Sequence, residues 1–327
     1  MKQRRALIVG IDYYAHLDNL RGCEHDASSV ADVLRRDELG NEKNFGCEVR
    51  IGKDASSAVT CKSLTQDVKD LFQYDGEAAL FYFAGHGHIE DAGSYLLTSD
   101  SETGTDGLSL ANVLTYAHKC KARNKIIVLD SCFSGAAGAD ALKPDLSMIS
   151  QGMTLLTAST AEQYALEGEA GGLFTHLFVD ALRGGAANLV GRITPGAVYA
   201  HIDQSLGDWE PRPVFKTNIK EFFSLRSVEP KLTSAQLHRL TEFFKTPGAQ
   251  FALDPTFEPE MKGRDEGMPP PLAENTEKFA LLQKFNRNGL VVPHGAEHMW
   301  NAAMGSKSCK LTALGEHYHR LVAKELI

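Results

Sequence analysis

Long hydrophobic runs are missing from this chain: no stretch approaches the roughly 18 consecutive apolar residues of a membrane span. Cysteine is sparse and scattered. The six, Cys23, Cys47, Cys61, Cys120, Cys132 and Cys309, form no CxxC pair, which argues against a zinc ribbon or a disulfide framework. Basic charge is short as well, with 34 Lys and Arg against 42 Asp and Glu, so a nucleic-acid footprint spread over the whole surface is not expected. Internal repeats and low-complexity tracts are absent, which excludes solenoid and tandem-array architectures.

What remains is ordinary globular composition. Apolar residues make up 43% and charged residues 23% of 327 positions, enough for a sizeable core and for two domains or one domain with an appendage. The charge is uneven: residues 1–224 hold 21 basic and 30 acidic side chains, whereas residues 225–327 hold 13 and 12. The bland reading of the acidic part is a soluble surface. The opening Met1-Lys2-Gln3-Arg4-Arg5 runs into a strand-like segment without a cleavage site, which predicts a cytoplasmic location and no membrane partner.

Periodicity places short apolar strands at Arg5–Ile11, Glu77–Ala84, Lys125–Leu129 and Met153–Ala158, with a shorter one at Glu48–Ile51. Helical spacing appears at Ala27–Leu39, Ser63–Phe72, Leu108–His118 and Phe174–Leu182. Strands alternating with helices predict an α/β fold with a mostly parallel sheet covered on both faces. In such sheets ligands sit beyond the carboxyl ends of the strands. Two of those ends are short, polar and bordered by glycine: Gly85-His86-Gly87-His88 and Asp130-Ser131-Cys132-Phe133-Ser134-Gly135.

A cysteine nucleophile needs a base and a pair of donors for the oxyanion that develops on the attacked carbonyl. His86 and Cys132 supply the first, if their strands are neighbours. The amides of Gly87 and Cys132 supply the second, Gly87 because the lack of a Cβ permits close approach. Taken singly, a His and a Cys are more often structural. Two glycine-bordered polar tips at strand ends shift the balance toward chemistry.

These segments resemble the caspase-like cysteine peptidases, in particular the metacaspase and bacterial caspase-homologue branch. Tyr82-Phe83-Ala84-Gly85-His86-Gly87-His88 is similar to the family's catalytic-histidine motif, and Leu129-Asp130-Ser131-Cys132-Phe133-Ser134-Gly135 to its catalytic-cysteine motif. Leu20-Arg21-Gly22-Cys23-Glu24-His25-Asp26-Ala27 resembles a segment of the S1 pocket. Ala158-Ser159, Gln163–Glu167 and Gly172-Leu173-Phe174-Thr175 fit the later part of the fold, the whole covering roughly residues 4–225.

The resemblance implies a caspase–hemoglobinase fold and a cysteine endopeptidase with a Cys132/His86 dyad. Caspases that cut after aspartate carry an S1 arginine at the position of Leu20 here, so that cation is lacking. Asp26 and Asp130 match the acidic S1 residues of metacaspases, with Cys23, Ala84 and Ser159 as further pocket positions. Protein or peptide substrates with Arg or Lys at P1 would then find a charge-assisted partner. Ala84 stands where many metacaspases carry a serine, which leaves Arg against Lys open. The plain readings are a helix N-terminal acid for Asp26 and a loop acid for Asp130. The stretch 136–150 corresponds to a linker that relatives cleave on activation, with Lys143 its only basic residue; activation by a protein partner is the alternative.

Many metacaspases require Ca²⁺, and Asp100, Glu102 and Asp106 form an acidic cluster, but without EF-hand spacing. A solvated loop is the preferred reading. His86 and His88 lack further ligands, so no metal is assigned and no cofactor is expected. Domain 1–225 is followed by a connecting, proline-rich segment, 226–277, and a small mainly helical module, 278–327. Lys310–Tyr318 in that module is loosely similar to the end of a winged helix, although near-neutral charge argues against duplex binding. Two other classes compete: a non-catalytic homologue that only binds peptides or partners, and a nucleic-acid-binding regulator.

Overall fold

The computed structural model describes residues 3–90, 93–131, 133–135 (backbone only), 149–158, 172–208 and 212–327. Two compact units divide at residue 229, Met1–Glu229 and Pro230–Ile327.

The first unit opens with β1 (Arg4–Ile11), α1 (Cys23–Arg35), β2 (Gly46–Gly52), α2 (Cys61–Phe72) and β3 (Ala78–Ala84). Three small strands follow, β4 (Gly87–Glu90), β5 (Gly93–Leu96) and β6 (Leu108–Ser109), then α3 (Leu110–Lys119), β7 (Asn124–Asp130), β8 (Phe133–Gly135) and β9 (Met153–Thr157). The unit closes with α4 (Leu173–Asp180), β10 (Arg192–Ile193), α5 (Pro195–Ser205), β11 (Val214–Thr217) and β12 (Arg226–Ser227).

The main sheet has six strands in the order β11-β9-β7-β3-β1-β2. All pair in parallel except β11, which runs antiparallel to β9. Every residue of β3 is buried, as an interior parallel strand requires. The alternation of side chains sorts the core into two layers. Ala6, Ile8, Leu80, Tyr82, Ile126 and Val128 face α1, α4 and α5, whereas Leu7, Val9, Phe81, Phe83, Ile127 and Leu129 face α2 and α3. The mostly parallel α/β sheet flanked by helices is the expected architecture. A second sheet, β6-β5-β4-β8, rises beside the carboxyl end of the first.

Gly10 lets α1 approach β1: a Cβ there would lie 2.1 Å from the Cys23 carbonyl oxygen. The helix start is fixed from outside, because Asp12 accepts from the Cys23 and Glu24 amides at 2.9 and 3.2 Å. Two first-turn donors with no intrahelical partner are thereby satisfied.

The second unit contains α6 (Ser234–Phe243), β13 (Gln250–Ala252), α7 (Ala273–Arg287), β14 (Val291–His294), α8 (Met299–Met304), β15 (Ser308–Leu311) and α9 (Ala313–Ala323). It is larger than the small, mainly helical module expected over 278–327. A three-stranded antiparallel sheet, β13-β15-β14, runs through it, and its residues begin at Pro230. The stretch 226–277, read as a linker, contributes α6, β13 and the start of α7 to this unit. Its prolines mislead because some are packed: Pro255 is buried in a turn that Asp254 caps, and Phe257 touches Phe251 and Phe279 edge-on. The segment likened to a winged-helix end is β15 running into α9. Among the described residues no helix is long and apolar enough to cross a membrane.

Candidate active site

The carboxyl ends of β1, β3 and β7 lie side by side, with Gly10, Ala84 and Asp130 in register across them. Past these ends the chain leaves the sheet through residues 12–20, the Gly85-His86-Gly87 turn and Ser131.

His86 is held by the first of these loops. Its backbone amide donates to the Tyr14 hydroxyl at 2.8 Å, and the two rings sit 4.6 Å apart with a 52° tilt. Gly85 makes this possible, since a Cβ there would lie 2.7 Å from the same hydroxyl. On the ring, Nε2–H donates to the Asp18 carbonyl oxygen at 2.8 Å. A carbonyl only accepts, so in the neutral imidazole the proton resides on Nε2 and Nδ1 keeps the lone pair. Desolvation pulls the imidazole below its ordinary value, with the Asp18 carbonyl and carboxylate acting in the opposite sense. A half-buried, neutral imidazole with a fixed tautomer can take a proton at one defined atom.

A second constellation occupies the α1/α4 side. Asp130 continues the alternation of Ile126 and Val128, which turns it toward that layer. Asp26, in the first turns of α1, accepts from the Gly172 amide at 2.9 Å. Asp130 Oδ2 accepts from Thr175 Oγ1 at 2.5 Å. The two carboxylates converge on Gly172: a Cβ there would stand 3.0 Å from Asp130 Oδ2 and 3.5 Å from Asp26 Oδ2. Burial pushes the Asp130 carboxyl up to about 6, against the downward pull of its hydrogen bonds from Thr175. The two acids share one helix N-terminus, whose dipole favours their negative charge, and among the described residues no Lys or Arg forms an ion pair with Asp130. Cys23 is buried at the head of α1 and Ala84 is buried beside Asp130.

Gly87 begins β4 and is buried, in register with Phe133 of β8. Cys132, Ser159 and Lys143 lie outside the described residues. The structure therefore groups His86 and Gly87 at one strand end and Asp26, Asp130, Cys23 and Ala84 at the next.

The loop acids are occupied locally. Asp100 Oδ1 accepts from the Cys61 amide and the Thr98 hydroxyl at 2.9 and 2.7 Å. Asp106 Oδ2 accepts from the amide and hydroxyl of Thr103 at 2.7 and 2.8 Å and from the Glu102 amide at 3.2 Å. Those bonds engage one oxygen of each of the two aspartates. Among the described residues no group of three or more His, Cys, Asp or Glu is placed to hold a metal.

Tyr14, Asp18 and Asp12, and the part that Thr175 plays, escaped the sequence reading. The first three follow β1, whose carboxyl end belongs to the same edge as β3 and β7. Applying the strand-end rule to every parallel strand would have pointed at them. Thr175 sits in a helix within a segment that the family resemblance marks, but nothing in that segment signals its bond to Asp130.

Comparison with known proteins follows the same outline. The family model described as a caspase domain, peptidase C14, matches residues 3–226. Among solved structures, a protein from Geobacter sulfurreducens is similar at 14% identity and a TM-score of 0.49, covering 70% of this chain and 98% of its own. Caspase-1 from Spodoptera frugiperda is similar at 14% identity and a TM-score of 0.48, covering 69% and 91%. No curated protein sequence matches the chain.

Proposed function

The chain belongs to the caspase-domain family of cysteine peptidases, and from that premise we propose an endopeptidase with Cys132 as nucleophile, His86 as base, and Asp26 with Asp130 receiving a P1 Arg or Lys. Register supports the dyad. Phe133, the residue after Cys132, pairs with Gly87, the residue after His86. In this reading Cys132 loses its thiol proton to Nδ1 of His86 and attacks the scissile carbonyl. The amides of Gly87 and Cys132 receive the oxyanion, and the proton on His86 passes to the departing amine. Water then releases the acyl group from the sulfur.

The convergence of Asp26 and Asp130 on Gly172 carries the specificity. A guanidinium or ammonium entering there gains charge-assisted bonds, while a P1 aspartate would add a third carboxylate to the two present. Leu20, half-buried against the core, offers no cation in compensation. A cut at Lys143 during activation fits the same preference, and a protein partner is the other route to activation.

The test is to incubate wild type and Cys132→Ala with reporter peptides ending in Arg, Lys or Asp, with and without Ca²⁺. The expected result is cleavage after Arg or Lys by wild type alone. Equal rates from both proteins would leave a non-catalytic homologue, and selective cleavage after Asp would remove the pocket assignment. A wild-type band that stays unshifted on a denaturing gel while active would remove self-cleavage at Lys143.

A further inference from the structure

We propose that Thr175, backed by Tyr82, is the positioning residue that aims Asp130 and preserves its negative charge, and so sets the preference for a cationic P1 side chain. The inference rests on the reading of Asp130 as a P1-binding carboxylate.

Three side chains from three elements form a line inside the α1/α4 layer. The Tyr82 hydroxyl lies 2.5 Å from Thr175 Oγ1, which lies 2.5 Å from Asp130 Oδ2. Tyr82 is 0% and Thr175 1% exposed, so water does not take either place. The proton order follows from the donors available. An ionised carboxylate only accepts, so the single Thr175 proton points to Asp130. Tyr82 must then donate to the remaining lone pair of Thr175. Both hydroxyl dipoles thus point toward the carboxylate, and such bonds are about twice as strong to an ionised acceptor as to a neutral one.

The surroundings leave this line as the main support for the charge. Asp26 on α1 converges with Asp130 on Gly172, and the charges felt by Tyr82 on β3 are those of Asp130, Asp26 and Cys23; none of these groups is a cation. α4 contributes the Thr175 hydroxyl and, between the two acids, the Gly172 amide. Tyr82 remains a donor at every working pH, because burial first, and then Asp130 and Asp26, push its phenol well above the ordinary range. Removing the Thr175 hydroxyl leaves the Thr175 amide as the remaining hydrogen bond from that residue against the desolvation of Asp130. The acid would then be neutral over more of the pH scale and held by one hydrogen bond fewer.

The experiment measures kcat/KM against pH on paired peptides with P1 Arg or its neutral analogue citrulline, for wild type and for Thr175→Val, Thr175→Ser, Tyr82→Phe and Asp130→Asn, with thermal unfolding as the check on folding. Thr175→Val is expected to lower the Arg-over-citrulline ratio about tenfold near neutral pH and to move the acid limb up by about one pH unit. Thr175→Ser restores both, and Tyr82→Phe gives a smaller shift of the same sign. A purely structural role would slow both peptides alike with the limb in place, and that result overturns the proposal. If Thr175→Val does not fold, an unmoved limb and ratio in Tyr82→Phe overturn it instead. An unchanged ratio in Asp130→Asn sinks the P1 reading, and this inference with it.

Discussion

The two arms of the site are held by different kinds of group. His86 is oriented by a loop, through a tyrosine hydroxyl on its amide and a main-chain carbonyl on its ring. Asp130 is oriented from inside the core, by a threonine on a helix and a tyrosine on a strand. Burial pushes both toward neutrality, with opposite consequences. For the imidazole, neutrality is the state that accepts a proton. For the carboxyl, neutrality would abolish the proposed attraction for a basic P1 side chain, and its value of about 6 keeps it ionised only above that pH. A working window that opens near pH 6 follows from the two arms together.

Asp130→Asn tests the core-held arm most severely. On Arg peptides kcat/KM is expected to fall about a hundredfold, the scale of one charge-assisted bond in a desolvated site. Stability should move the other way. The Asp130 carboxyl sits near 6 in the folded chain and near the ordinary 3.9 or so in the unfolded one, so the unfolded chain ionises first as pH rises. Ionisation in the fold therefore costs up to about 3 kcal/mol, fully present above pH 6 and absent below about 4, and less where water reaches the carboxyl. The variant should unfold at a higher temperature than wild type at pH 7.5 and at a similar one near pH 4. A lower midpoint at pH 7.5 would contradict the desolvation argument.

This asymmetry also explains what could be read in advance. The parallel strands of the main sheet were legible because burial on both faces leaves near-continuous apolar runs such as Ala78–Ala84, whereas the half-buried antiparallel edge strand β11 was not read. His86, Gly87, Asp26 and Asp130 were legible because glycine-bordered polar tips and family motifs mark them. The small sheet of β4, β5, β6 and β8 was not, since strands of four residues or fewer are too short for a period to stand out in the sequence. α5 and α6 could have been found from their starts. Thr194 precedes Pro195, and Thr233 forms a capping box with Gln236. The partners of each arm lie far off in sequence, Tyr14 at 72 positions from His86 and Thr175 at 45 from Asp130, where only the folded sheet brings them together.

Tyr14→Phe challenges the loop-held arm at its hydroxyl. The ring contact with His86 stays, while the His86 amide loses its acceptor in a half-buried turn, a defect of about 1–3 kcal/mol. The effect on activity should be about tenfold, smaller than for Asp130→Asn, because the ring still has the Asp18 carbonyl. It should appear in kcat for Arg and citrulline peptides alike, since the acids proposed to receive P1 are untouched. A change confined to the Arg-over-citrulline ratio would mean that the two arms are coupled rather than separately held.

Asp18→Asn gives the smallest effect, and its size separates main-chain from side-chain control. The hydrogen bond to His86 Nε2 comes from the Asp18 carbonyl, which the substitution retains. Only the carboxylate's attraction for the protonated imidazole is lost, one of the influences that raise the His86 value against desolvation. Its removal lets that value fall further, so any acid limb set by His86 moves down and kcat/KM near neutral pH changes by less than about twofold, as expected for a single screened surface charge. The measurement is the pH profile on a citrulline peptide, where Asp130 has no cation to attract. A loss above tenfold there would show that the carboxylate, and not the backbone, orients the ring. The contrast between a backbone-held base and a side-chain-held acid would then collapse.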